Sequence, residues 1–182
     1  MSRHVRSSVL GLWTTIVLSG RPGHGAVLPT ERRIAYPHIE ADNLLGEVIR
    51  FPAWLIGHTT LILVAWSQEQ QREVNTWLAL LPRLETEAAL RVIETPIVRP
   101  QYRSIKPRMD GWMRDEIPTE AGRARTITLY ATPRAFAASL GIPDRSIAAA
   151  VLVDDEGRIA KMWFGPATGM TARDVIASVG RL

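Results

Sequence analysis

The residues best placed to do chemistry form a short polar segment, Ser67-Gln68-Glu69-Gln70, directly after an apolar run at 61–66. The run is typical of a strand buried on both faces, and the helical periodicity that follows places a helix N-terminus at Ser67. A serine there could act as a nucleophile, because the helix dipole stabilises negative charge. No histidine and carboxylate pair is placed to activate Ser67. Its hydroxyl is therefore interpreted as a helix cap, with Gln70 completing a capping box.

Residues that bind metals are few and poorly spaced. His38 and His58 are far apart, and the chain contains no cysteine. It therefore has no thiolate ligands, thiol nucleophiles or disulfides, and two distant histidines make a weak metal site. Asp154, Asp155 and Glu156 share one tight turn, a pattern typical of a solvated hairpin tip. We predict neither a metal nor any other cofactor.

A further candidate site lies in an irregular stretch at 99–124. Met109, Trp112 and Met113 recur there at helical spacing, with Arg108 and Arg114 beside them. Tryptophan, methionine and arginine are enriched at protein–protein interfaces. These five residues are therefore a candidate contact surface for a protein partner. The alternative interpretation is that the stretch only packs over the sheet.

The positive charge of the chain is concentrated at its amino terminus. Arg3, Arg6 and Arg21 lie in the first 26 residues, which contain no acidic residue, and without them the excess of basic over acidic residues falls from four to one. A nearly neutral body does not predict nucleic-acid binding.

The same first residues have the pattern of a targeting segment. Arg3 and Arg6 precede an apolar run at 9–18 and a glycine-rich stretch, as in a secretory signal, and the run is too short to span a bilayer. We predict a signal segment at 1–26 and a periplasmic or otherwise exported protein working close to a membrane. A mitochondrial transit peptide, leading to the inner membrane or matrix, and an uncleaved anchor are the alternatives.

Behind this segment, the sequence predicts an extended lead-in at 27–44 and one α/β domain at 45–182. A short extended pair at 45–55, kept at the sheet edge by Pro52, precedes the strand at 61–66 and a helix that ends at Pro82. Further strands are predicted at 90–98, 125–131, 148–153 and 158–164, and further helices at 110–116, 132–140 and 171–179. The expected architecture is a central mixed sheet flanked by helices, with Ser67 at a strand-to-helix corner.

This order of elements resembles the thioredoxin-like fold, in its peroxiredoxin and periplasmic-reductase variety. The resemblance is carried by Leu140-Gly141-Ile142 and by the run from Val151 to Ile159, Val-Leu-Val-Asp-Asp-Glu-Gly-Arg-Ile. In the redox members, the corner carries a Cys-x-x-Cys pair that faces a cis-proline. Here the corner holds Ser67-Gln68-Glu69-Gln70, and the proline position falls near Ala148 or Ala149. The corner is therefore interpreted as a vestigial redox site, and thiol–disulfide and peroxide chemistry are excluded.

More narrowly, the chain is similar to the mitochondrial ATP synthase assembly-factor family and its bacterial relatives. The shared features are Trp66-Ser67, Val74 with Trp77, Leu152-Val153-Asp154 before Arg158-Ile159, and Gly165-Pro166-Ala167-Thr168. The resemblance implies a non-catalytic assembly or chaperone-like protein that binds a membrane-sector subunit of the ATP synthase. The alternative is an enzyme of the same descent, with a cysteine-independent site near Ser67, Gln70 and the 99–124 insertion.

Overall fold

The computed structural model of the chain describes Ala26–Val27 and residues 34–182. The predicted signal segment at 1–26 thus lies outside the described residues, apart from Ala26. The described residues form eight strands: β1 (Ala26–Val27), β2 (Ile39–Asn43), β3 (Val48–Phe51), β4 (Thr60–Ala65), β5 (Arg91–Val98), β6 (Ile127–Tyr130), β7 (Ala149–Val153) and β8 (Ile159–Phe164). The helices of the described residues are α1 (Gln71–Leu78), α2 (Leu81–Ala88), α3 (Lys106–Glu116), α4 (Glu120–Arg125), α5 (Pro133–Leu140) and α6 (Gly169–Val179).

The strands form one mixed sheet in the order β1-β8-β7-β4-β5-β6-β2-β3. Strands β4, β5 and β6 are adjacent and parallel, so their carboxyl ends meet at one edge of the sheet. The hairpin of β7 and β8 runs antiparallel beside β4, and β2 with β3 runs antiparallel beside β6. This arrangement confirms the predicted α/β fold, with a central mixed sheet flanked by helices.

The central strand β4 is buried along its whole length and supplies both layers of the core. Because side chains alternate across a strand, Leu61 and Leu63 pack on the face covered by α1, α2 and α6. Ile62 and Val64 pack on the opposite face, with the buried residues of α5. Every apolar side chain of β4 is therefore buried between the sheet and the helices that cover it, which explains the continuous hydrophobic run of the strand.

The amino-terminal half departs from the predicted pattern in two places. Residues 27–44 were expected to form a loose lead-in, but Ile39–Asn43 pairs with β3 and β6 as strand β2. The helix after β4 was expected to end at Pro82. Instead α1 ends at Leu78, and Pro82 lies in the first turn of a separate helix, α2, where a proline costs no backbone hydrogen bond.

The carboxyl-terminal half follows the prediction closely. Gly141 and Gly157 adopt positive φ angles of 73° and 77°, at the end of α5 and in the hairpin turn. The last helix was expected to begin at Thr171, but Thr168 is its N-cap and forms a capping box with Thr171. Among residues 34–182 and the short strand β1, no helix is long and apolar enough to cross a membrane.

Candidate functional site

The corner after β4 begins with Ser67 in an extended conformation (φ −151°, ψ 162°), followed by a 3₁₀ turn at Gln68–Gln70 that leads into α1. The hydroxyl of Ser67 makes no capping hydrogen bond to the turn, although its backbone carbonyl accepts one from the N–H of Gln70 at 3.2 Å. The predicted capping box is therefore wrong, because the side chain of Gln70 forms hydrogen bonds with other backbone groups. Ser67, Gln68 and Glu69 are exposed, and hydrogen bonds from Ser67 and from its own backbone lower the pKa of the Glu69 carboxyl.

Gln70 is the buried member of this corner, with only 5% of its surface exposed. Its side-chain carbonyl accepts a hydrogen bond from the backbone N–H of Trp66 at 2.8 Å. Its amide group donates to the backbone carbonyl of Arg145, also at 2.8 Å. Gln70 therefore joins the corner to the loop before β7. This role has no signal in the sequence, because Arg145 is 75 residues away.

A second connection lies one helical turn further on. The carboxylate of Glu73 accepts a hydrogen bond from the backbone N–H of Ala148 at 2.9 Å. Ala148 is one of the two positions predicted to replace the cis-proline of redox proteins, and a proline has no N–H to donate. Glu73 lies in the first turn of α1, where an acidic side chain commonly compensates the helix dipole from the surface. The hydrogen bond of Glu73 with Ala148 also holds the loop before β7 against α1.

Neither histidine considered in the sequence can act as a general base for Ser67. His58 precedes β4, whereas Ser67 follows the strand at its other end. A strand of this length spans about 20 Å, far beyond hydrogen-bond reach. His38 precedes β2, and β5 and β6 lie between β2 and β4, so at the usual strand spacing His38 is about 14 Å to the side of Ser67. Neither histidine is therefore within hydrogen-bond reach of Ser67.

An open groove of about 380 Å³ lies beside this corner. We call it the corner groove, and its lining residues are Trp66, Ser67, Arg99, Pro133, Pro143, Asp144, Arg145 and Ser146. They come from the carboxyl ends of β4, β5 and β6 and from the loop before β7. Ligands of open α/β sheets bind at the carboxyl edge of parallel strands, so this is the position expected for a ligand site.

The predicted partner surface lies in the 99–124 insertion, which forms a 3₁₀ turn at Pro100–Ile105, then α3 and α4. The inner side of α3 is fixed to the sheet by charge. Lys106 pairs with the buried Asp110 on α3 and with Asp42 on β2, whose carboxylate is 3.2 Å away. Arg123 on α4 donates to the backbone carbonyls of Ile117 and Arg114 at 2.8 and 2.9 Å.

The outer side of the insertion exposes large apolar side chains. Trp112 is 58% exposed, Tyr102 is 43% exposed and Ile105 is 38% exposed. Together with the half-buried Met109, they follow a three-four-three spacing that places them along one side of the helical segment. We call these four residues the outer face. Tyr102 and Ile105 were missed in the sequence because they precede the predicted helix.

The five predicted contact residues are thus divided between the two sides. Arg108 and Trp112 are exposed, and Met109 is half-buried. Met113 is half-buried, and its sulfur lies 3.6 Å from the hydroxyl of Thr128 on β6. The half-buried Arg114 contributes its backbone carbonyl to the contact with Arg123 described above.

The acidic hairpin turn is a structural feature. Asp155 and Glu156 are exposed as predicted, whereas Asp154 is buried. The carboxylate of Asp154 accepts hydrogen bonds from the backbone N–H groups of Glu156 and Arg158, at 3.1 and 2.7 Å. In the part of the chain that the structure describes, no group of three histidine or acidic side chains could hold a metal ion.

An apolar cavity of about 200 Å³ lies between α1, α2 and α4, and it contains a carboxyl group. Glu94 on β5 lines it and is 5% exposed. Burial raises the pKa of the Glu94 carboxyl, while a hydrogen bond with Gln71 and the charge of Arg125 oppose the shift. Glu94 has no distinguishing signal in the sequence, because one acid within a predicted strand carries no pattern.

Comparison with known proteins identifies the fold. No family model and no curated protein matches the sequence. Solved structures do match: a DsbF homologue from Corynebacterium diphtheriae has 17% identity and a TM-score of 0.59, over 91% of this chain and 96% of its own. BsSco, a member of the Sco family of cytochrome c oxidase assembly proteins, has 16% identity and a TM-score of 0.60, over 82% and 94%.

A secreted thiol-disulfide isomerase from Corynebacterium glutamicum gives a similar result, with 17% identity and a TM-score of 0.57 over 86% of this chain and 92% of that one. The chain therefore has the thioredoxin-like fold, as its order of elements predicted, without any cysteine. At these levels of identity, the likeness concerns the fold alone.

Proposed function

We propose that this protein is a non-catalytic binding protein that uses the outer face to hold a protein partner, in the manner of an assembly factor or chaperone. The observation that carries the proposal is the exposure of Trp112 on a helix whose inner side is fixed by Lys106 and Asp110. A large aromatic side chain on a rigid support loses little conformational entropy on binding, and such residues dominate interface energies.

The absence of cysteine supports a non-catalytic role. Thiol–disulfide exchange requires a thiolate, and the two ends of the corner are Ser67 and Gln70. Gln70 is instead committed to two backbone hydrogen bonds. The fold itself is compatible with assembly work, since BsSco is described as belonging to a family of cytochrome c oxidase assembly proteins.

The client proposed for the first test is a membrane-sector subunit of the ATP synthase. The support is the resemblance in sequence to the ATP synthase assembly-factor family, at positions such as Trp66-Ser67 and Leu152-Val153-Asp154. An exported location beside a membrane is part of the same proposal. It is supported by the arginines and apolar run at the amino terminus, and one structural neighbour is described as secreted.

The test is affinity capture from native membranes, followed by mass spectrometry. We expect the wild-type protein to retain a membrane-sector subunit of the ATP synthase, and Trp112→Ala to reduce its recovery at least about tenfold, as expected for a hot-spot residue. Met170→Ala is the matched control, because Met170 is 64% exposed but lies at the start of α6. Equal recovery with Trp112→Ala would show that the outer face is not the binding surface.

An enzyme with a site at the corner is the second candidate. The corner groove supports it, because concave sites of this size bind small molecules. Its lining residues include no histidine, so the base available to Ser67 would be the Glu69 carboxylate, which accepts a hydrogen bond from that serine. Turnover of a small substrate that disappears in Ser67→Ala and persists in Trp112→Ala would favour the enzyme over the binding protein.

A further inference from the structure

We propose that the corner groove is a binding site for a small organic anion, one that carries a single carboxylate or phosphate group on a compact apolar body. The site is separate from the outer face, and the proposal does not depend on the identity of any protein partner. Four features of the groove support it: two exposed guanidinium groups, their position in the fold, an unpaired buried donor and apolar walls.

The first feature is the pair of arginines. Arg99 directly follows β5, and Arg145 lies in the loop before β7, so two separate segments bring their side chains to one groove. Both are exposed, and neither forms a salt bridge with a described carboxylate, although the charge of Arg145 contributes to the lowered pKa of the neighbouring Asp144 carboxyl. Guanidinium groups bind carboxylates and phosphates through paired, charge-assisted hydrogen bonds.

The position of the groove adds to this attraction. Ser67 and Arg99 follow the parallel strands β4 and β5, and α5 begins at Pro133 after β6. The backbone N–H groups of Arg134 and Ala135, in the first turn of α5, have no partner within the helix. They place partial positive charge at the same edge of the sheet.

A buried donor without a partner is the third feature. Trp66 lines the groove and is only 8% exposed, yet its indole N–H makes no hydrogen bond to any described residue. Leaving a buried donor unpaired is unfavourable, so such groups in proteins are normally satisfied by protein, water or ligand. The N–H is itself buried from solvent, so an anion in the groove becomes its acceptor when the indole turns toward the groove.

The remaining lining residues define the ligand more closely. Asp144 adds one negative charge, and its carboxylate accepts hydrogen bonds from the N–H and hydroxyl of Ser146 at 2.8 and 2.7 Å. Two positive charges, of Arg99 and Arg145, and the negative charge of Asp144 give the groove a net charge of +1. This charge suits a single anionic group better than a polyanion. The indole of Trp66 and the rings of Pro133 and Pro143 provide apolar surface for the body of the ligand.

The test is a titration of the full chain followed by nuclear magnetic resonance, with benzoate and phenyl phosphate as probes. Both carry one anionic group on an aromatic ring, and comparing them distinguishes a carboxylate ligand from a phosphate ester. We expect a saturable shift of the Trp66 indole N–H signal, which Trp66→Phe identifies by its loss. Benzyl alcohol, which has the ring but no charge, should give no saturable shift, and neither should sodium chloride at equal ionic strength.

Variants then test the assigned residues. Arg99→Gln and Arg145→Gln should each weaken binding at least about tenfold, as expected for the loss of a hydrogen bond between charged groups. Asp144→Asn should strengthen binding about threefold, because it removes the repelling charge and keeps an acceptor for Ser146. Arg173→Gln, at an exposed position on α6, is the matched control and should bind as the wild type does.

Three results would overturn the proposal. They are the absence of saturation with both anions, equal shifts with benzyl alcohol, and unchanged affinity in Arg99→Gln and Arg145→Gln. Titrating Trp112→Ala separates this inference from the proposed function, because the groove should bind its anion whether or not the outer face holds a partner.

Discussion

The carboxylate of Glu73 accepts a hydrogen bond from the backbone N–H of Ala148, one of the two positions predicted to replace the cis-proline of redox proteins. The contact joins α1 to the loop before β7. It gives a physical reason for alanine at this position, because a proline would leave the half-buried Glu73 without its donor.

We expect Glu73→Ala to lower the free energy of unfolding by about 2 kcal/mol, the value typical of a hydrogen bond to a charged group. Ala148→Pro should cost at least as much, because it removes the same bond from the other side. Urea unfolding of both single variants and the double variant measures the coupling. The double variant should be less destabilised than the sum of the two, and strict additivity would mean that the contact contributes nothing.

Replacing Trp77 or Trp112, which both lie on helices, by alanine should lower the free energy of unfolding by different amounts. Trp77 is 2% exposed, and its indole N–H donates to the carbonyl of Gly165 at 2.9 Å. Trp77→Ala should therefore lower stability by about 3–5 kcal/mol. Trp112→Ala should change it by less than about 0.5 kcal/mol, as is usual for exposed positions. Thermal unfolding followed by circular dichroism makes the comparison, and a large loss in Trp112→Ala would mean that the insertion packs through this side chain.

The buried carboxyl of Glu94 should make stability depend on pH. Burial raises the pKa of Glu94 in the folded state above about 4.3, the pKa of an exposed glutamate. In the pH interval between these two pKa values, the folded state binds more protons than the unfolded state. The contribution of Glu94 is therefore fully favourable below this interval and is lost as the pH rises through it.

Glu94→Gln should remove that loss and make the variant relatively more stable at pH 7 than at pH 4, compared with the wild type. Urea unfolding at a series of pH values measures the effect. Glu116→Gln, at an exposed position on α3, serves as the control. An identical pH profile for Glu94→Gln and the wild type would show that the carboxyl is solvated in the folded protein.

Lys161 and Asp174 should show an asymmetric response to substitution. The ammonium group of Lys161 contacts both carboxylate oxygens of Asp174, at 2.8 and 2.7 Å, and joins β8 to α6. The side chain of Lys161 is 6% exposed, whereas that of Asp174 is 39% exposed. Asp174→Asn should cost about 2–3 kcal/mol, because it leaves a buried ammonium without its counter-charge.

Lys161→Met should cost less than Asp174→Asn, because water can reach the remaining carboxylate and the methionine fills the space of the lysine stem. Chemical denaturation of the two variants tests the order. An equal or larger loss of stability in Lys161→Met would mean that the unpaired Asp174 carboxylate is the costlier charge. That result would contradict the greater burial of Lys161.

Local pattern was sufficient to predict most of the elements. The apolar run of β4, the alternation of β6 and the glycine of the β7–β8 turn each have one favourable backbone conformation, so they could be read without tertiary information. Ile39–Asn43 could not, because it is only partly buried and its strand state depends on pairing with β3 and β6.

The sequence alone determined the thioredoxin-like order of elements and the absence of thiol chemistry, since these follow from short-range periodicity and from composition. Only the tertiary structure decided what the corner does in place of that chemistry. Gln70 and Glu73 each bond to a backbone group 75 residues away, and the corner groove brings together Ser67, Arg99 and Arg145 from three segments. Local pattern does not encode such contacts, because the partners meet only when parallel strands place their carboxyl ends at one edge of the sheet.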